Sequence, residues 1–477
     1  METSVIIGVS CMQATITIIR KTSSAERAIP SGMNITFSLS RSFCRRLCVF
    51  AVILATAACN TAPPTPPPSP TASEPLTLQV FTYDSAPISQ VLNLMIAAFK
   101  KVHPEVTVQT VPITGDPAQQ LAGLAKSTNP PDVIWTVDAV TPSLIDAGLL
   151  LDLNELASID RTFKRDDINP LALAAGNGQN NHGLYMLPAV MESVQMFYNK
   201  DLFKAAGAPM PDANWTWDDL IAACKQIQDK NANMKCIGYS NQIMPDASWW
   251  AYLVPWIKGY GGDVLSADGK LSTLSSPESL AGIQAYANLW LKDQIAATPS
   301  QRGNCFVVAR CAVIFFISGG IGAAQERIGN LFDWDVQLMP AHPKGRFTGT
   351  GTYGFGVSQA TRRPQLAWDF VKQLATPELQ TLIAKQRVGM PVLKSLANDP
   401  SLDSNGKPPV NMQAFIKGSE FGLSPRAYPT PCGNFYSGLV ASALSDAFKA
   451  VLDGSAKTAD AFKQADQKIQ ACLDAAK

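Results

Sequence analysis

Three carboxylates stand where this chain could do chemistry: Asp84, Asp138 and Glu192. Asp84 and Asp138 follow the runs LTLQVFTY and DVIWTV, each read as a strand, so both mark strand ends. Any two of the three, brought face to face, would suit glycoside hydrolysis, one as acid and the other as nucleophile or base. Left to themselves, the same groups are strong acceptors for hydroxyl donors. Aromatic rings are the second resource. Tyr83 and Trp135 end those same strands, and five aromatics crowd between Trp249 and Tyr260. One helix does not bury so many, so Trp249 or Trp250 is expected to face a cleft. Other chemistries lack their residues: no HExxH, P-loop, GxSxG or CxxC occurs. His103, His182 and His342 are scattered, which speaks against a histidine-built metal site. Gly349 to Gly354 fits GxGxxG, but a strand rather than a helix follows it, so nucleotide binding is not expected. No cofactor is called for.

The elements that must position these groups are legible in part. Leu76 to Tyr83 alternates apolar and polar residues as a strand does. Val91, Leu92, Met95, Ile96 and Phe99 then recur at helical spacing, until His103-Pro104 stops the helix. VTVQTV from Val106 is a second strand, Ala118 to Ser127 a short helix, and DVIWTV a third strand. Strand–helix–strand–helix–strand makes an α/β fold with a parallel sheet and right-handed crossovers. Ligands of such sheets lie outside the carboxyl ends of the strands, which here carry Tyr83, Asp84, Trp135 and Asp138. The middle is helical and aromatic. Thr216 should cap a helix from Trp217, with Asp218 and Asp219 in its first turn, and Pro277-Glu278 should open another. Ala312 to Ile317, WDVQL and Tyr353 to Val357 read as strands, and Pro364 to Leu374 and Pro377 to Gln386 as helices. The chain from Phe435 reads as helical, broken at Gly454.

At 477 residues, 46% hydrophobic and 16% charged, the chain is globular and too long for one ordinary core. Its first 58 residues are a separate matter. Arg41, Arg45 and Arg46 precede the twelve-residue apolar run Leu47 to Ala58. At 1.5 Å per residue that run is too short for ~30 Å of hydrocarbon, and it reads as a secretory signal. Counted from Met33 such a signal is 26 residues long, and residues 1–32 have no signal character, so Met33 is an alternative start. Residues 1–58 also hold six of the 39 basic and two of the 38 acidic residues; without them 33 basic face 36 acidic, a net of −3. No basic footprint for nucleic acid remains. Residues 59–75 hold seven prolines, an extended spacer that cannot bury a core. Cysteines agree with export. Cys11, Cys44 and Cys48 leave with the signal. Cys224, Cys236, Cys305, Cys311, Cys432 and Cys472 are left as an even set in the folded part. Fifteen pairings are open to six cysteines; the local one joins Cys224 to Cys236, Cys305 to Cys311 and Cys432 to Cys472.

Thr56-Ala57-Ala58-Cys59 resembles the bacterial lipobox, in which the cysteine receives lipid and becomes the mature N-terminus. Thr56 stands where that pattern prefers leucine. Further on, PPDVIWTVDAVTPSLIDAGLLLDLNELA (Pro130 to Ala157) resembles extracellular solute-binding family 1, the sugar receptors of bacterial ABC importers. Leu187 to Leu220 carries the family's YNKDLF core and its Trp-Thr-Trp helix start. FVVARCAV (Phe306 to Val313), Tyr353 to Gln380 and VGMP (Val388 to Pro391) follow in family order, with Ala309 and Val313 as departures. The resemblance implies an α/β, two-lobed periplasmic-binding-protein-like fold of type II, with ligand in the cleft between lobes. One lobe would be 76–191 with 353–395, the other 192–352 with 396–477. It implies a non-catalytic receptor for a carbohydrate, an oligosaccharide by preference, serving ABC permease subunits. The receptor would be a monomer, held outside the cytoplasmic membrane by its lipid alone. Glu192 falls where the family's maltose receptor has a sugar-binding glutamate, and Trp249 and Trp250 fall in a segment with a stacking aromatic. Gly319, in Ser318-Gly319-Gly320, replaces a stacking tryptophan and leaves room for another ligand. Phe435 and Tyr436 would offer a second platform. Gly349 to Gly354 becomes a flexible crossing between lobes, with Thr352 and Tyr353 in reach of ligand. Glycerol phosphate or a polyamine is the alternative ligand within the fold, and an exported glycoside hydrolase the alternative outside it.

Overall fold

Strand-forming residues appear earlier than the sequence reading placed them. The computed structural model describes residues 7–10, 13–16, 35–37, 76–177, 183–238, 250–298, 305–399, 402, 406–423, 428–433 and 438–476. The chain divides into two units, Met1–Ser73 and Glu74–Lys477. In the first, β1 (Ile7–Ser10), β2 (Gln13–Ile16) and β3 (Ile35–Phe37) form an antiparallel sheet in that order. No strand was expected there. The segments are dense in isoleucine, valine and threonine, whose branched side chains favour extended backbone. The apolar run at Leu47 to Ala58, Cys59 and the proline spacer lie outside the described residues.

In the second unit the expected alternation begins the first lobe. β4 (Leu76–Thr82) pairs in parallel with β5 (Val106–Pro112) and with β6 (Val133–Val137). The helices Ala86–Val102 and Pro117–Leu124 make the crossovers. The strand β4 is buried from Leu78 to Thr82 rather than on one face, because helices cover both sides of a parallel sheet. Its buried Gln79 is satisfied by donating to Gln109 Oε1 at 3.1 Å. Leu78, Val80 and Phe81 pack with Val91, Met95 and Phe99 of the first helix and with Trp368 and Phe370 of the helix Pro364–Val371.

Two long strands carry the chain between sheets. β7 (Leu187–Ser193) lies in the first sheet and runs through Val194 into β8 (Gln195–Asn199), the central strand of a second sheet. That sheet has the order β10-β8-β9, all antiparallel, with β9 at Val313–Phe316 and β10 at Trp334–Gln337. The return is β11 (Thr348–Val357), antiparallel to β6 along one edge and to β7 along the other. The two-residue β12 (Gly422–Leu423) extends the first sheet beyond the start of β11.

Gly349 to Gly354 is therefore strand, not a flexible crossing. Its glycines serve close approach. A Cβ at Gly349 would stand 2.2 Å from the Ala251 methyl, and one at Gly354 2.0 Å from the Leu187 carbonyl oxygen.

The second lobe is built differently. Helices Trp217–Lys230, Trp250–Gly259, Pro277–Leu291, Gly438–Leu452 and Thr458–Ala475 enclose an aromatic core with Trp217, Trp256, Tyr286, Phe315 and Phe448. Thr216 caps the first of these through a full capping box with Asp219, as its sequence position predicts. Gly454 separates the last two at φ 76°, a left-handed turn glycine adopts freely. Three disulfides staple this lobe: Cys224–Cys236, Cys305–Cys311 and Cys432–Cys472, with Cα separations of 5.3, 5.4 and 5.7 Å. The local pairing is the one formed.

Candidate functional site

The two crossing strands bring several of the expected residues onto one face. Directly paired residues of an antiparallel ladder project to the same side, as do residues two apart along a strand. Trp135 pairs with Phe355, Tyr353 with Val137 and Val190, and Gly351 with Glu192. Trp135, Tyr353, Gly351 and Glu192 thus share a face. The aromatic side chains form a row: Tyr83 meets Trp135 edge-on at 5.1 Å between centroids, and Trp135 lies 6.0 Å from Tyr353. Two donors in this row have no partner among the described residues, Trp135 Nε1 and the Tyr353 hydroxyl, although both atoms are buried. A buried donor without an acceptor is costly, so it marks a place where a ligand group can bind favourably.

Asp138 follows β6 and is only 8% exposed. Its carboxylate accepts the Thr352 amide at 3.1 Å and the Ala139 amide at 2.7 Å, and its own amide donates to Thr352 O at 3.0 Å. Burial pushes its acid up to about 7 against the pull of those two amides. Asp138 Oδ2 also lies 3.9 Å from where a Gly351 Cβ would stand, with nothing else that close among the described residues. The glycine leaves open space beside the carboxylate.

Glu192 is 7% exposed and faces the turn Ser318–Gly320 that follows β9. The Ser318 hydroxyl and the Gly319 amide, at 3.1 Å, both donate to Oε2. Burial pushes this carboxyl up to about 7 as well, opposed first by the Ser318 hydroxyl. Burial and the neighbouring Glu192 charge also raise the Tyr353 phenol. The glutamate that was expected to be an open acceptor is already engaged by protein donors.

The remaining expectations divide. Thr352 is buried and joins the site through its backbone. Asp84 does not join it: its side chain is exposed and accepts from Ser89 at 3.4 Å, a local contact at the start of the first helix. Trp249, Phe435 and Tyr436 lie outside the described residues, as does the side chain of Trp250. The sequence reading missed Gly389, which touches Glu192 from the first lobe. Gly389 lies in the VGMP run, which the sequence marks only by its family order. The same reading also missed the polar fastening of the crossings. Ser193 Oγ donates to Phe415 O at 3.0 Å, Gln195 Nε2 to Ser193 Oγ at 3.1 Å, and Thr350 Oγ1 to Leu423 O at 2.8 Å. No motif flags these, because the Ser193 and Thr350 bonds reach partners 222 and 73 residues away. On the other face of β7, Met191, Met390, Lys394, Ile416 and Glu420 line a cleft of about 170 Å³.

Among the described residues no group of three potential metal ligands occurs, and no helix is long and apolar enough to cross a membrane.

Comparison with known proteins gives the same outline. A family model described as bacterial extracellular solute-binding protein matches residues 85–381. A protein of Brucella abortus, named only as a candidate binding protein, is 28% identical over 226 residues, 45% of this chain and 52% of its own length. A maltooligosaccharide ABC transporter solute-binding lipoprotein of Streptococcus pneumoniae is 27% identical over 301 residues, 60% of this chain and 66% of its own. The chain thus spans between about half and two thirds of the length of these curated relatives. In fold it is similar to an ABC substrate-binding protein of Listeria monocytogenes in complex with cycloalternan. That likeness has a TM-score of 0.71 at 20% identity and covers 84% of this chain and 99% of the other.

Proposed function

The chain belongs to the bacterial extracellular solute-binding protein family, and on that premise we propose that it is a receptor that binds a carbohydrate between its lobes and delivers it to an ABC importer without chemistry. One observation carries the choice of ligand. The aromatic row Tyr83–Trp135–Tyr353 holds two unpartnered donors, and the buried acceptors Asp138 and Glu192 belong to the same cluster. Sugars offer apolar C–H faces to rings, and their hydroxyls both donate and accept. Relatives and fold neighbours whose names specify maltooligosaccharide or cycloalternan support the class. The ligand cleft would lie between a lobe of 76–191 with 353–395 and a lobe of 192–352 with 396–477. Glycerol phosphate would call for cationic side chains or helix N-termini, whereas the groups gathered here are rings, carboxylates and hydroxyls.

A thermal-shift screen over mono- and oligosaccharides tests the reading, with glycerol phosphate and a polyamine as separate arms. A ligand that binds only the native state raises the midpoint by mass action. A shift with glycerol phosphate alone would overturn the sugar assignment, and release of reducing sugar from oligosaccharides would overturn the non-catalytic one. Export and lipid anchoring at Cys59 belong to the same proposal, supported by the run ending Ala57-Ala58-Cys59. Cys59→Ala should move the protein from the membrane to the soluble fraction; unchanged fractionation would refute the anchor.

A further inference from the structure

The Glu192 carboxylate is held in a gap lined by two glycines from different parts of the chain. A Cβ on Gly319 would stand 2.8 Å from Glu192 Oε1 and 3.1 Å from the Val388 carbonyl oxygen. A Cβ on Gly389 would stand 3.1 Å from the same Oε1 and 2.8 Å from the Val190 Cβ. Neither glycine is at positive φ, so backbone conformation does not demand glycine at either position. Space does. Gly319 belongs to the single turn Ser318–Gly320, which follows β9 of the second sheet and leads into the helix Ile321–Ile328. Gly389 precedes Met390, whose backbone bridges to Met191 of β7. Glu192 itself sits one residue from the end of β7, where the chain leaves the first sheet. The contact thus joins the second lobe's turn, the crossing strand and the segment after the helix Pro377–Lys385 at one carboxylate.

We propose that Gly319 and Gly389 are positioning residues. By lacking side chains they let the Ser318–Gly320 turn seat on Glu192, and that seating sets how far the two lobes close. The Ser318 hydroxyl and the Gly319 amide supply the donors, and the Val388 carbonyl forms the far wall. A methyl group at position 319 would meet backbone on one side and a doubly bonded carboxylate on the other. Relief comes either from the Glu192 carboxylate swinging off its two donors or from the turn moving off β7, and either way the seating is undone. The device rests on the reading of the chain as a closing receptor, but its test requires no ligand.

Small-angle scattering of the full ligand-free chain is the experiment, on the wild type, Gly319→Ala, Glu192→Ala and the double variant, each verified as folded by circular dichroism. Gly319→Ala should raise the radius of gyration beyond the wild-type error. Glu192→Ala removes the group the new methyl strikes, so adding Gly319→Ala to it should cause a much smaller further rise. A merely structural glycine would give the same increment in both backgrounds, and that result would overturn the proposal, as would an unchanged radius in the single variant. Should Gly319→Ala not fold, Ser318→Ala, which removes one of the two donors that seat the turn on Glu192, should raise the radius in the same direction, and an unchanged radius there would overturn the proposal. A failed sugar screen beside a positive cycle would refute the ligand class and leave the positioning role standing.

Discussion

The two lobes solve the same problem with different materials. The first is a sheet of mostly buried strands, crossed over by helices and free of cysteine among its described residues. The second has a three-stranded sheet among its described residues, and its interior is largely helix-borne, with the rings of Trp217, Trp256, Tyr286 and Phe448 among aliphatic side chains, stapled by all three disulfides. In the first, backbone pairing along β4, β5, β6 and β11 supplies order over a long ladder. In the second, few strand pairs exist, so ring packing and covalent closure take their place. The same contrast holds at the site: Asp138 is fixed by backbone amides beside its own sheet, and Glu192, on a strand of the first sheet, by donors from the turn that follows β9 of the second.

The largest expected effect tests the aromatic core. Trp217 lies 4.4 Å from Trp256 and 5.2 Å from Phe315 between centroids, and its Nε1 donates to His342 Nε2 at 3.1 Å. Trp217→Ala should cost about 3–5 kcal/mol in chemical denaturation. If the lobes are as distinct as their interiors, the loss should fall on one transition and spare the first-lobe sheet. A uniform loss across hydrogen-exchange protection of β4 and β6 would break the comparison.

Disulfides come next. Cys432–Cys472 closes a sequence separation of 40 residues and Cys305–Cys311 one of 6. On the chain-entropy account, Cys432→Ser with Cys472→Ser should cost about 2–4 kcal/mol, and the short-loop pair less. Equal midpoints for the two double variants would remove loop closure as the reason this lobe is stapled.

How much of this could be read from the sequence follows the same division. The first-lobe strands and helices were visible because apolar period and proline punctuation are local signals, as at Val91 to Phe99 and His103-Pro104. Thr216 was visible for the same reason, its partner Asp219 being three residues away. The run Gly349 to Gly354 was misread. Its composition suggests a loop, and only pairing with β6 and β7 on its two edges makes it a strand. Asp84 and Asp138 looked equivalent at strand ends; the difference is that β11 arrives beside Asp138 and covers it. Nothing local could reveal that Ser318 occupies Glu192 across 126 residues.

The buried carboxylates predict a pH dependence of definite sign. Asp138 and Glu192 both rise to about 7 in the folded chain from ordinary values of 3.8 and 4.5. The folded state therefore binds protons more tightly between those limits, so stability is full below pH ~4 and is lost as pH rises through about 7. The slope should reach up to about 1.4 kcal/mol per pH unit for each carboxylate. Asp138→Asn should flatten the denaturation midpoint against pH within the first lobe, and an unchanged profile would show that Asp138 does not titrate there.

The smallest effect carries the opposite sign, in the other lobe. Asp219 lies at the surface, where the Thr216 hydroxyl and the Thr216 amide, at 2.8 Å, both donate to its Oδ2. Those hydrogen bonds, the side-chain one first, hold its acid below the ordinary carboxylate value. A lowered folded value contributes stability that is present above the unfolded value near 3.8 and is lost as pH falls below it. Thr216→Ala removes the hydroxyl that caps the Asp219 amide as well as one donor to its carboxylate. The expected cost is about 1 kcal/mol at neutral pH, the usual worth of an N-cap, with solvent screening limiting the ionic share. The cost should shrink toward pH 3 as Asp219 takes up its proton in both proteins. Measured beside Asp138→Asn, the two variants should both depart from wild type toward neutral and higher pH, in opposite directions: Asp138→Asn upward and Thr216→Ala downward. A Thr216→Ala deficit that stayed constant down to pH 3 would mean that the cap acts through the Thr216 oxygen alone, with the Asp219 charge contributing nothing.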